Sequence, residues 1–116
     1  GFLVGAEVAD AYAAGSVFVL PSFTDVMPNA ALDALAYGLP SVLSRYCGLD
    51  EIATAGAGEL VDTTVDDLER GIRAILARRE AWPAMGAAAR ALVSESLAFE
   101  RVHDRYEALY RELLAR

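Results

Sequence analysis

A single cysteine, Cys47, leaves this 116-residue chain without a partner for an internal disulfide and without the makings of a cysteine-rich zinc site, which fits a reducing, cytoplasmic setting. Basic residues are scarce. Ten Lys and Arg against 17 Asp and Glu give a net charge of -7, so neither nucleic acid nor an anionic membrane surface is drawn to this part of the protein, and no contact with either is expected. Any anionic ligand must be held by local backbone donors and a few basic side chains. No apolar run approaches the ~20 residues needed to cross a bilayer, and the longest aliphatic stretches are strand-sized. Internal repeats, low-complexity tracts and flexible linkers are missing too. The chain opens on Gly1-Phe2-Leu3-Val4 with neither an initiator methionine nor a charged signal-like region, so Gly1 is expected to be a cut rather than a native start.

What is present is globular: 55% of the residues are hydrophobic and 23% charged, outside the range of disordered chains. The length is one domain's worth but short for a complete doubly wound enzyme, so residues 1–116 are read as a single partial domain. Residues 6–14 have helical spacing, with Gly15 where a C-cap belongs. Val17-Phe18-Val19-Leu20, closed by Pro21, is a continuous β-favouring run of the kind buried on both faces of a parallel sheet, and Ser41-Val42-Leu43-Ser44 is a second. Between them a helix is expected from Pro28 to about Tyr37, giving a βαβ unit. One or two helical turns over residues 48–55 and a weak strand at Glu59-Leu60-Val61 follow. Val65, Leu68, Ile72, Ile75 and Leu76 then mark the inward face of a helix, capped by Thr64 with Asp67 three residues on. Two more helices are expected, one from about Pro83 to Ser94 with Met85, Ala89 and Leu92 inward, and one from about Glu100 to Leu114 with a stripe of Val102, Tyr106, Leu109, Tyr110 and Leu113. The fold class is α/β, a Rossmann-like parallel sheet with flanking helices.

The chemistry gathers at the first crossover. Pro28 suits the first helical turn because its missing N–H costs nothing there, which leaves the amides of Asn29 to Ala31 unpaired at a helix end that favours anions by roughly 0.3 to 1 kcal/mol. In an open α/β sheet this end faces the ligand crevice outside the carboxyl ends of the strands. Asn29, Asp33 and Tyr37 share one face of the helix, while Ala31, Leu32 and Leu35 share the other. Asp33 is placed to accept from ribose hydroxyls while the helix start holds phosphate, and Asp25, in the turn, can reach whatever lies beyond the phosphate. On spacing alone a second reading stays open, with Asp25 capping the helix and Asp33 a solvated surface acid.

Residues 17–40 resemble the signature of the C-terminal domain of family 4 (group 1) glycosyltransferases with the GT-B fold: a strand, Pro-Ser, a Glu-x7-Glu pair and Gly-x-Pro. Pro21-Ser22, then Asp25 and Asp33, then Gly38-Leu39-Pro40 occupy those places. The similarity runs on through residues 1–14, Cys47-Gly48-Leu49-Asp50-Glu51-Ile52 at the place of a Gly-Gly-x-x-Glu turn, Gly58-Glu59-Leu60-Val61, Met85-Gly86 and the tyrosine-bearing last helix. It implies retaining transfer of a sugar from a nucleotide-diphosphate sugar donor to an acceptor such as a growing polysaccharide or lipid-linked glycan, without a metal or other cofactor. Asp25, the first carboxylate of the pair and the catalytic residue, would contact the donor sugar and help orient it for transfer. Asp33 would bind ribose, and the backbone from Met27 and Pro28 to Asn29 and Ala30 would cradle the diphosphate. Gly48, in the later turn, would join the donor site. Arg45, by its place directly after the second strand and not by the resemblance, points to the same crevice, where it could meet phosphate or acceptor; an ordinary surface arginine is the other reading and the favoured one. The family's diphosphate-binding Arg and Lys belong before Gly1, and its acceptor site with a catalytic histidine belongs in an N-terminal domain. The fragment alone is therefore expected to be inactive and to expose an unpaired sheet edge.

Two departures stand out. Both acids are Asp where Glu is usual, which sets each carboxylate roughly one bond, ~1.5 Å, further back, and Cys47 replaces the first glycine of the later turn. The rival from another class is a non-catalytic nucleotide-sugar or protein-binding module of the same fold; a sugar-nucleotide epimerase of this fold lacks the pair pattern. Outside the central segment, Glu51 suits the start of a short helix, and Arg78 and Arg79 the end of one. His103 reads as a solvated helical residue, Cys47 as packing, and Trp82, Tyr106 and Tyr110 as core or domain-packing aromatics.

Overall fold

The structure, a computed structural model, describes the backbone of residues 1–116 and every side chain except that of Phe99. Three parallel strands, β1 (Phe18–Leu20), β2 (Ser41–Ser44) and β3 (Gly58–Val61), lie side by side in that order. Phe18 pairs with Ser41 and Leu20 with Leu43; Ser41 pairs with Gly58 and Ser44 with Val61. Helix α1 (Ala6–Ala14) precedes β1, α2 (Asn29–Ala36) joins β1 to β2, and α3 (Glu51–Thr54) joins β2 to β3. After β3 come α4 (Val65–Leu76), α5 (Trp82–Leu92) and α6 (Phe99–Leu114), with 3-10 turns at Arg45–Cys47 and Arg79–Ala81 and a π turn at Val93–Leu97.

The central strand β2 divides the core. Its four residues are all fully buried, and successive side chains of a strand point to opposite faces. Leu43 packs with Ala31, Leu35, Cys47, Leu49, Ile52, Ala57 and Ala89 beneath α2, α3 and α5. Val42 packs with Val61, Ile75 and Met85 beneath α4, backed by Leu68, Ile72 and Trp82. The two buried hydroxyls of β2 are satisfied: Ser41 donates to the Leu39 carbonyl at 3.0 Å and Ser44 to that of Ser22. Register makes Gly58 obligatory, because a Cβ there would stand 1.9 Å from the Ser41 carbonyl oxygen.

Several expectations shift. Pro28 is the N-cap of α2 and not its first helical residue, with extended φ and ψ of -64° and 132°. Strand β1 starts at Phe18 rather than Val17, and α5 ends at Leu92, where the π turn takes over. Val65 and Leu76, expected inward, are 82% and 53% exposed. Helix α4 packs chiefly over β2 and β3, and Val65 and Leu76, at the two ends of its apolar stripe, stay outside that contact. Thr64 caps α4 by accepting from the Asp67 amide at 3.2 Å, but the Asp67 carboxylate turns to the Asp62 amide and to Arg70 instead of closing the box. In α6 the stripe forms as expected, yet Tyr106, Leu109, Tyr110 and Leu113 are all exposed. Trp82 is half-buried and donates its indole N–H to the Ile75 carbonyl at 2.9 Å.

Candidate functional site at the start of helix α2

Strand β1 delivers the chain to Pro21 at the carboxyl edge of the sheet, and residues 21–28 form the loop that turns back into α2. The segment leaving β2 serves as its template. Ser44 holds the Ser22 carbonyl, the Asp25 amide donates to the Tyr46 carbonyl at 3.1 Å, and the Met27 amide donates to the Cys47 carbonyl at 3.0 Å. The Cys47 thiol lies 3.8 Å from the Leu20 carbonyl and 3.4 Å from the Ser44 hydroxyl. Its side chain is fully buried, so the cysteine that replaces a glycine of the family pattern fills the core beneath the loop and leaves the crevice open. Gly48, at φ 67°, turns the chain there; a Cβ would meet only the Met27 nitrogen, at an ordinary 3.6 Å, so its requirement is conformational. Met27 also holds a positive φ, 54°, unusual for a residue with a side chain.

Two amides remain available. Ala31 and Leu32 both donate to the Pro28 carbonyl, at 3.1 and 3.2 Å, and the Met27 amide is taken by Cys47. Those of Asn29 and Ala30 have no acceptor among the described residues. The expectation of three free donors from Asn29 to Ala31 is corrected to two, because the first turn closes on Pro28. Nor does any side chain cap α2. Asp25, half-buried, spends its Oδ1 on the amide of Val26 at 2.9 Å, so the reading of Asp25 as a helix cap does not hold. Asp33 is exposed on the open face of α2, and its carboxylate makes no hydrogen bond or ion pair among the described residues.

Arg45 leaves the end of β2 and pairs with Asp62, which follows β3, at 3.0 Å with both side chains more than half exposed. Such a pair contributes little and exchanges readily. Glu51 is the first residue of α3 and exposed, and His103 sits exposed on α6. The sequence reading assigned no chemistry to Tyr12, the only aromatic residue of α1. Its ring stacks on Tyr37 at 5.5 Å and 14°, and its hydroxyl donates to the Ala30 carbonyl at 3.2 Å. The phenol's pKa is raised, first by burial and then by the charge of Asp33.

An open parallel sheet with two carboxylates flanking the start of its first crossover helix has the layout of α/β domains that bind ligands beyond the carboxyl ends of their strands. A family model described as glycosyl transferases group 1 matches residues 1–78, and the chain belongs to that family. It is 36% identical over 95 residues to the sulfoquinovosyl transferase SQD2 of Arabidopsis thaliana, covering 78% of this chain and 19% of that protein. Over 73 residues, 63% of the chain, it is 36% identical to a GDP-mannose-dependent alpha-(1-6)-phosphatidylinositol dimannoside mannosyltransferase of Mycobacterium tuberculosis, of which 19% is covered. The chain thus spans about a fifth of the curated relatives it matches. Among solved structures, sucrose-phosphate synthase from Thermosynechococcus elongatus superposes with a TM-score of 0.77 at 29% identity, over 94% of this chain and 28% of that one. WaaG, a glycosyltransferase involved in lipopolysaccharide biosynthesis, shares the fold with a TM-score of 0.65 at 24% identity, over 82% and 26%. The sheet and helices described here are the Rossmann-like architecture of GT-B glycosyltransferases. No helix among the described residues is long and apolar enough to cross a membrane.

Proposed function

We propose that residues 1–116 are the donor-binding portion of the C-terminal domain of a retaining glycosyltransferase, which moves a sugar from a nucleotide-diphosphate donor to a glycan or lipid-linked acceptor at the cytoplasmic side of a membrane or in the cytoplasm. The observation that carries this reading is the start of α2: two free amides, at Asn29 and Ala30, between one carboxylate in the preceding loop and another on the open face of the helix. When the bond from the anomeric carbon to the diphosphate breaks, the leaving oxygen takes the electron pair. Amides already aimed at that charge stabilise it without reorganising. Met27 and Pro28 shape the approach rather than donate, and Gly48 allows the turn that holds Met27 in place.

Asp25 then contacts the donor sugar through Oδ2, its Oδ1 being engaged, and Asp33 accepts from the ribose hydroxyls. Arg45 exchanges Asp62 for phosphate when donor arrives. Support for a nucleotide-sugar donor and a lipid-linked acceptor comes from the mannosyltransferase relative, whose name gives GDP-mannose and a phosphatidylinositol dimannoside. Calorimetric titration of the full-length enzyme with nucleotide sugars differing in base and sugar tests the reading. Saturable binding of at least one is expected, followed by transfer with the anomeric configuration kept, and binding of none overturns it.

A further inference from the structure

The first turn of α2 has to hold two amides in register with a diphosphate, yet no side chain caps it. Among the described residues, a single side-chain hydrogen bond reaches the backbone of this helix, from the Tyr12 hydroxyl to the Ala30 carbonyl at 3.2 Å. The same tyrosine touches the other end. Its ring stacks on Tyr37, the C-cap residue of α2, at 5.5 Å between centroids. Helical side chains lean toward the N-terminus, so the Tyr37 ring comes back over the turn that carries Asp33, and Tyr12 closes on it from α1. Phe18 of β1 backs the Tyr12 ring from the sheet side at 6.2 Å. The pKa of the Tyr12 phenol is raised by burial and, second, by the charge of Asp33 on the facing helix.

We infer that Tyr12 is a positioning residue for the donor site: its hydroxyl fixes the Ala30 peptide, and its ring, with Tyr37, walls the face of α2 that presents Asp33. This deepens the proposed donor site and rests on that reading. The hydroxyl acts on the ligand through the helix, since the Ala30 carbonyl it holds belongs to the turn whose amides face the phosphate. A diphosphate and ribose bound there would meet a turn that is already ordered, and the ordering cost would be met in folding and not in binding.

The test uses the full-length enzyme and three variants. Tyr12→Phe keeps the ring and removes the hydroxyl, Tyr12→Leu removes the stack as well, and Phe18→Leu trims the same aromatic cluster without touching α2's backbone. For Tyr12→Phe, the donor Kd and KM should rise roughly 2- to 10-fold, with kcat changed less than about twofold. Tyr12→Leu should weaken binding further. Phe18→Leu should lower the melting midpoint while leaving donor Kd unchanged. If wild type binds donor and Tyr12→Phe binds it equally well, the inference falls while the donor site stands. It falls equally if the Tyr12 variants lose only melting temperature, in the manner of Phe18→Leu. If wild type binds no nucleotide sugar, the donor site itself is wrong and this inference goes with it.

Discussion

Met27 gives its amide to the carbonyl of Cys47 at 3.0 Å while holding a φ of 54°. The bond sets the last bend before Pro28 and so aims the start of α2, at the cost of a left-handed backbone that a side chain disfavours by about 1–2 kcal/mol. Glycine would relieve that strain but lose more entropy on folding, by roughly 0.5–1 kcal/mol, so Met27→Gly should change unfolding free energy by less than about 1 kcal/mol. A β-branched residue meets the strain in full, and Met27→Val should destabilise by roughly 1–2 kcal/mol or more. Urea denaturation of the two variants checks the ordering; equal stabilities would mean the turn relaxes when Met27 is replaced.

Two glycines mark where backbones meet. A Cβ on Gly58 would lie 1.9 Å from the Ser41 carbonyl oxygen within the sheet, and one on Gly86 would lie 2.5 Å from the Gly38 carbonyl oxygen, where α5 crosses the end of α2. Neither obstacle is a flexible side chain that can swing away. Gly58→Ala should prevent folding or cost more than about 3 kcal/mol, and Gly86→Ala should cost roughly 1–3 kcal/mol by pushing α5 from α2. Thermal melting of both variants is the measurement, with wild-type midpoints the contrary result.

The sheet is legible in the sequence because parallel strands are short, continuous, β-favouring runs: β2 matches residues 41–44 and is buried on both faces, and β1 and β3 match to within one residue, but β1 is an edge strand that leaves Val19 37% exposed where burial on both faces is expected. Strand register is not legible, and with it goes the reason for Gly58. The stripe of α4 predicts the helix, but periodicity reports amphipathicity and not the width of the surface beneath, so Val65 and Leu76 share the stripe yet lie beyond the interface. In the site, the two acids and the helix start could be read directly. Which amides stay free could not, since Met27's depends on the carbonyl of Cys47, twenty positions on. The role of Tyr12 is invisible in the sequence for the same reason. Its contacts to Ala30 and Tyr37 lie 18 and more residues away, and nothing in residues 6–14 beyond a lone aromatic signalled them.

The alkaline limb of stability should carry the signature of Tyr12. Burial first, then the Asp33 carboxylate, hold its phenol above the ordinary 10.0. A folded pKa above the unfolded one means the fold binds the phenolic proton more tightly. The contribution is therefore complete below about pH 10 and lost as pH rises through the folded value. The other four of the five tyrosines titrate in wild type and Tyr12→Phe alike, so the difference between the two isolates this one. Wild-type stability should fall more steeply than that of Tyr12→Phe above about pH 10, and parallel curves of denaturation midpoint against pH would show that Tyr12 is not coupled to the fold in this way.

Asp25 and Asp33 make separable predictions in the full-length enzyme. The Asp33 carboxylate has no hydrogen-bond or ion-pair partner among the described residues, so truncating it leaves nothing inside the fold unsatisfied and the whole effect should appear in donor binding. Asp33→Ala should cost about 1.5–3 kcal/mol of donor affinity, the range for a hydrogen bond to a charged group, and leave the melting midpoint unchanged. Asp25 differs because its Oδ1 already holds the Val26 amide, and only Oδ2 is open to a ligand. Asp25→Asn keeps one acceptor oxygen for that amide while removing the charge, so turnover should drop with little change in stability. The Glu variants probe reach. Each lengthens the side chain by roughly one bond, ~1.5 Å. Asp33 is exposed, so Asp33→Glu should be tolerated and bind donor at least as well as wild type. At Asp25 the extra methylene would move the carboxylate off the Val26 amide and unsettle the loop that Tyr46 and Cys47 hold. Donor titration and steady-state kinetics of the four variants decide the assignment; an Asp33→Ala enzyme with wild-type donor affinity would return that residue to an ordinary surface acid.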